Sequence, residues 1–77
     1  MYQQDVMVYY KIGDNMYKEY FSDDFNLKAI VNVMHKINLY WIDYYYNNKW
    51  IKSSYFNNLS INELSDIAED YVLGLKS

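Results

Sequence analysis

Few residues here have the type and spacing that chemistry requires. His35 is the one histidine in a chain without cysteine. Neither a Cys–His pair nor a two-histidine metal site can therefore be assembled around it. Carboxylates cluster twice, at Asp23-Asp24 and along Glu63, Asp66, Glu69 and Asp70. Paired carboxylates can hold a hard cation or divide acid and base roles. Glu63, Asp66 and Asp70 do fall at i, i+3 and i+7, but Asp23, Asp24 and Glu63 stand where helices should start and complement the macrodipole there. No loop of calcium-binding spacing surrounds them. The two glycines, Gly13 and Gly74, lie far apart, so no glycine-rich loop cradles a phosphate. These patterns predict a protein that is not an enzyme, with no metal and no cofactor.

The other notable feature is the aromatic content, which is 21% of the chain and includes eleven tyrosines and two tryptophans. On the segment 39–56 the side chains divide into two alternating sets. One is Leu39, Trp41, Tyr45, Trp50 and Phe56; the other is Tyr40, Ile42, Tyr44, Tyr46, Ile51 and Tyr55. Asp43 and Lys52 mark the first set as the outward one. Rings on an exposed sheet face suit partner contact, because Tyr and Trp are enriched in interface hot spots and monomers seldom leave large apolar patches uncovered. The competing explanation is core building, since a 77-residue chain without disulfides needs bulky side chains or self-association to be stable. The expected partner-binding residues are Trp41, Asp43, Tyr45 and Trp50, with Glu63, Asp66, Glu69 and Asp70 as an acidic alternative. Carboxylates spaced along a helix can also imitate DNA phosphates, although a net charge of −3 is low for that role.

The elements that must position these residues follow from turn chemistry and periodicity. A first hairpin is predicted over 5–21, around the turn Gly13-Asp14-Asn15, with Ile12 opposite Met16, Tyr10 opposite Lys18 and Tyr9 opposite Glu19. Ser22-Asp23-Asp24 then reads as a helix start. Leu27, Ile30, Val31, Met34 and Ile37 form an apolar stripe that predicts a helix over 23–37, stopped at Asn38, with His35 on its polar face. A second hairpin is predicted over 39–56 with Asn47-Asn48 as a two-residue turn. That register sets Asp43 opposite Lys52, Tyr45 opposite Trp50, Tyr44 opposite Ile51 and Leu39 opposite Phe56. Ser60-Ile61-Asn62-Glu63 is a capping box, and Ile61, Leu64, Ala68, Tyr71, Val72 and Leu75 continue an amphipathic helix over 61–74, ending near Gly74. The predicted fold is a single α+β domain over 1–77 of ββαββα order. It has an antiparallel or mixed four-stranded sheet with two helices on one face.

The charge of −3 and pI of about 4.8 supply no electrostatic footprint for a duplex. No apolar run approaches the roughly 18 residues of a membrane span, and Met1 to Val8 lack a secretory pattern. A cytoplasmic location is the expectation. Arginine, proline, threonine and cysteine are absent, while Tyr, Asn, Ile and Lys abound. This is the usage of AT-rich codons. In size and residue usage the whole chain resembles the small acidic products of phages and mobile elements that inhibit a host enzyme, such as anti-CRISPR proteins or inhibitors of DNA-processing enzymes. The resemblance implies a non-catalytic inhibitor whose partner is a host protein. Two alternatives stand beside it: a homo-oligomeric assembly subunit, and a single-strand nucleic-acid binder that stacks bases on the sheet. The acidic balance counts against the second.

Overall fold

Two-residue turns and one bulge set the strand register. The computed structural model describes residues 6–22 and 24–74. Five strands, β1 (Val6–Ile12), β2 (Asn15–Phe21), β3 (Leu27–Met34), β4 (Leu39–Tyr46) and β5 (Lys49–Phe56), precede one helix, α1 (Ile61–Leu73). The strands form a single antiparallel meander in the order β1-β2-β3-β4-β5.

The structure corrects the expected ββαββα order and the four-stranded sheet with two helices. Residues 27–34 of the predicted helix 23–37 form β3, the middle strand of five, and α1 is the one α-helix among the described residues. The stripe at Leu27, Ile30, Val31 and Met34 has helical spacing, but Leu27, Ala29, Val31 and Val33 also alternate at period two. β-branched Ile30, Val31 and Val33 favour the extended choice. A middle strand, covered on one face and crowded on the other, reads as a nearly continuous apolar run. Ser22 caps no helix: its buried hydroxyl donates to Asp24 Oδ1 at 2.8 Å and accepts from the Leu27 N–H at 3.0 Å, closing the β2–β3 connection. Asp23 lies outside the described residues. His35 sits exposed in a short 3₁₀ turn, His35–Ile37, and Asn38 takes a left-handed φ of 53° to begin β4.

In the first hairpin Ile12 faces Asn15, not Met16, so Tyr10 faces Tyr17 and Tyr9 faces Lys18. The turn is Gly13-Asp14 with Gly13 at φ +59°, a two-residue loop whose twist matches the strands better than the expected three-residue one. In the second hairpin Asn47 and Asn48 have φ of 50° and 66°, the primed geometry that short polar side chains tolerate. Tyr45 faces Trp50, but a bulge beyond that pair shifts the register by one residue. Lys52 therefore faces Tyr44 rather than Asp43, Asp43 faces Ser53, and Phe56 faces Tyr40 rather than Leu39.

The core lies between α1 and the central strands. Met16, Tyr20, Ala29, Val31, Val33, Ile42 and Tyr44 meet Leu64, Ala68 and Val72. Ser60 Oγ accepts from the Glu63 N–H at 3.1 Å while Glu63 Oε1 accepts from the Ser60 N–H at 2.8 Å, and Gly74 ends the helix at φ 72°. Leu75 lies outside the described residues. The Tyr71 hydroxyl donates to the Tyr45 carbonyl at 3.1 Å, and its ring meets Tyr44 edge-on at 4.9 Å. No helix among the described residues is long and apolar enough to cross a membrane.

Leu64 is fully buried, so Leu64→Ala should lower the unfolding free energy by about 2–5 kcal/mol, whereas Ser60→Ala should cost about 1 kcal/mol through loss of the cap. Urea denaturation checks both. A Leu64→Ala loss below that of Ser60→Ala would contradict the packing of α1 on the sheet.

Candidate functional site

Successive residues of a strand point to opposite faces. On β4, Tyr40, Ile42 and Tyr44 turn toward α1, which leaves Leu39, Trp41, Asp43 and Tyr45 on the open side of the sheet. Strand pairing sets Asn32, Ile30 and Lys28 beside them on β3, and Tyr55, Ser53 and Trp50 on β5. Farther along the same face lie Tyr17 and Glu19 of β2 and Tyr10 of β1.

Asp43 organises the middle of this face. Its Oδ2 accepts from Asn32 Nδ2 and from Trp41 Nε1, each at 3.2 Å, and its Oδ1 accepts from the Ser53 hydroxyl. Trp50 Nε1 donates to Ser53 Oγ at 3.0 Å. The bulge makes this possible, since it brings Ser53 rather than Lys52 opposite Asp43. Both indole N–H groups are thus satisfied within the protein. Both rings are held by their edges, Trp50 exposed and Trp41 half-buried. Trp41 stacks on Tyr55 with centroids 5.8 Å apart, and Lys28 Nζ lies 4.5 Å from the centroid of Tyr45.

A second cluster occupies the β1–β2 end. Tyr10 and Tyr17 stack at 5.1 Å, and the Tyr10 hydroxyl donates to Glu19 Oε2 at 2.7 Å. That bond to a carboxylate, aided by desolvation and the negative charge of Glu19, raises the Tyr10 pKa from 10.0 to about 12.

Of the residues singled out from the sequence, Trp41, Asp43, Tyr45 and Trp50 come together on the open face. Glu63, Asp66, Glu69 and Asp70 lie on α1, on the other side of the sheet, and Glu63 is engaged in the cap. The two expected contact patches are therefore separate surfaces. Tyr55 joins the open face in place of Phe56, which packs against the core. Sequence reading missed Asn32, Ser53, Tyr55, Lys28, Tyr10 and Tyr17. Tyr10, Tyr17 and Tyr55 carried the signal of the aromatic surplus, and Asn32 that of a polar residue inside an apolar run, which needs a hydrogen-bond partner when buried.

Two depressions lie elsewhere. One of about 490 Å³ is lined by Asn38, Tyr40, Phe56, Asn57, Asn58 and Leu59, and one of about 330 Å³ includes Ser22, Asp24 and Tyr46. Neither joins a nucleophile to a histidine or lysine base. Among the described residues no three histidine or acidic side chains gather so as to hold a metal ion. Comparison of the chain with family models, with curated proteins and with solved structures finds no match. Function is therefore argued from the chain's own geometry.

Asp43→Asn replaces one acceptor oxygen by a donor among three donors. It should cost about 1–3 kcal/mol in urea unfolding and reduce the near-ultraviolet dichroism of the tryptophans. An unchanged spectrum would mean that Asp43 does not orient the indoles. Tyr10 holds its proton more tightly folded than unfolded, so its contribution to stability is complete below about pH 10 and is lost as pH rises through about 12. Glu19→Gln should bring the Tyr10 midpoint down toward 10.0, read from the tyrosine Cζ resonance.

Proposed function

We propose that this protein is a small non-catalytic protein-binding module and that the open sheet face is its contact surface. The observation that carries the reading is the edge-held pair of tryptophans around Asp43. Trp50 is 59% exposed and Tyr55 66%, yet the indole N–H groups are already satisfied. Presented in this way, rings lose little conformational freedom on contact and offer apolar area to a partner. The residue usage supports a phage or mobile-element origin, and with it the role of an inhibitor that occupies a surface of a host protein.

The face suits single-stranded nucleic acid poorly. Its described charged side chains are Glu19, Asp43 and Lys28, a sum of −1, whereas base-stacking platforms add a basic groove to their rings. The acidic back of α1 is the competing surface for a protein partner.

A pull-down from nuclease-treated lysate of a low-GC bacterium distinguishes the two surfaces. Wild-type protein should retain one stoichiometric host protein. Trp50→Ser with Tyr55→Ser should reduce capture more than tenfold while far-ultraviolet dichroism is unchanged, as loss of interface hot spots predicts. Asp66→Asn, Glu69→Gln and Asp70→Asn together should leave capture intact. The opposite pattern would assign contact to α1 and overturn the open-face reading.

A further inference from the structure

The two edges of the sheet are built differently. β5 carries Lys49, Lys52 and the bulge, features that discourage pairing with another strand. β1 has fewer of them: it pairs with β2 without a bulge, and Lys11 is its one charge. It is also exposed on both faces, because α1 packs on β3 and β2. Met7 is 48% exposed and Tyr9 51% on the helix side, while Val8 is 45% and Ile12 63% on the open side.

We propose that β1 pairs antiparallel with β1 of a second copy, about a twofold axis normal to the sheet, joining two five-stranded sheets into one of ten. An isologous contact of this kind closes after two copies, whereas β1-to-β5 pairing would grow without end and meets the protected edge. One register pairs all seven residues. Tyr9 faces Tyr9 of the second copy, Val8 faces its Tyr10, Met7 its Lys11 and Val6 its Ile12. No like charges are opposed, since Lys11 lies four residues from its symmetry mate along the strand. The charges near this edge, Lys11, Lys18 and Glu19, are close to balanced, and the acids of α1 stand over the central strands. The axis places both α1 helices on one side and both aromatic faces on the other, so two platforms become one. A seven-residue edge supplies about half of the roughly 800 Å² per partner of a standard interface, which makes the dimer weak, half-formed between about 0.1 and 1 mM.

The pairing does not depend on the contact-face reading, and the Trp50→Ser, Tyr55→Ser variant should dimerise like wild type. The cysteine-free chain allows a direct test. Facing residues of an antiparallel pair have Cα atoms about 4.5–5.5 Å apart, within reach of a disulfide. Tyr9→Cys should form a covalent dimer at about 0.5 mM under mild oxidation, more than tenfold faster than Lys49→Cys on the other edge. Sedimentation of the unmodified chain should show dimer growing with concentration, and Tyr9→Lys should weaken it more than tenfold with dichroism retained. If Tyr9→Lys does not fold, the comparison of the two cysteine variants decides. Equal oxidation rates, a monomer up to about 1 mM, or a foreign peptide strand pairing with β1 of a chain that stays monomeric would each overturn the proposal.

Discussion

One helix is too narrow to cover this sheet, and the other features of the molecule follow from that mismatch. Thirteen residues of α1 make a rod about 20 Å long and 10 Å across, while five strands at about 4.8 Å spacing span roughly 24 Å. The buried apolar side chains accordingly come from β2, β3, β4 and α1, and none of those described in β1 or β5 is among them. Ala29 and Ala68 lie in the middle of this contact with no exposure, where larger side chains would hold α1 away from β3. The outer strands are held by their ladder hydrogen bonds and by side chains paired across them. Among the described residues no second layer covers the other face of the sheet.

That bare face is ordered by its own cross-strand contacts. The pairs Tyr10–Tyr17, Trp41–Tyr55 and Lys28–Tyr45 each join neighbouring strands, and such contacts contribute about 0.5–1.5 kcal/mol apiece beyond their buried area. Asp43 ties β3, β4 and β5 together through Asn32, Trp41 and Ser53. A half-buried carboxylate surrounded by three donors forms a satisfied network, which rigidifies its neighbours; with one donor missing it would instead be a liability. The same carboxylate that stabilises the uncovered face also sets the orientation of the tryptophans, so fold stability and presentation of the contact surface rest on one group.

Local chemistry in the sequence was readable where a short motif has only one good conformation. Asn47-Asn48 suits a primed turn, and Ser60 with Glu63 suits a helix start, because each motif satisfies its own backbone. The segment around Val31 was ambiguous, since its apolar residues fit both a period of 3.6 and a period of two, and tertiary pairing on both sides decided for the strand. Gly13-Asp14 against Gly13-Asp14-Asn15 is a difference of one turn residue, enough to slip the first register. The bulge at Ile51 had no local signature. It moved Tyr55 to the open face and Phe56 toward the core, and it gave Asp43 a serine in place of a lysine. Alternation along β4 nevertheless grouped Trp41, Asp43 and Tyr45, because the extra residue of the bulge belongs to β5 and β4 itself runs without interruption.

The disposition of charge on the open face narrows what could bind there. Each of its described charges is engaged within the fold: Glu19 accepts from Tyr10, Asp43 is held by three donors, and Lys28 lies over Tyr45. Together they sum to only −1, too little to lead a long-range electrostatic approach, so association through this face should be governed by short-range fit and by the area of ring surface covered. A polyanion gains nothing from such a surface. A partner with a shallow apolar depression, rimmed by groups that do not require a countercharge, gains the ring faces without first breaking an internal hydrogen bond. The energetic cost of presenting tryptophan to water is thereby carried by the fold itself, in the same bonds that hold β3, β4 and β5 in register.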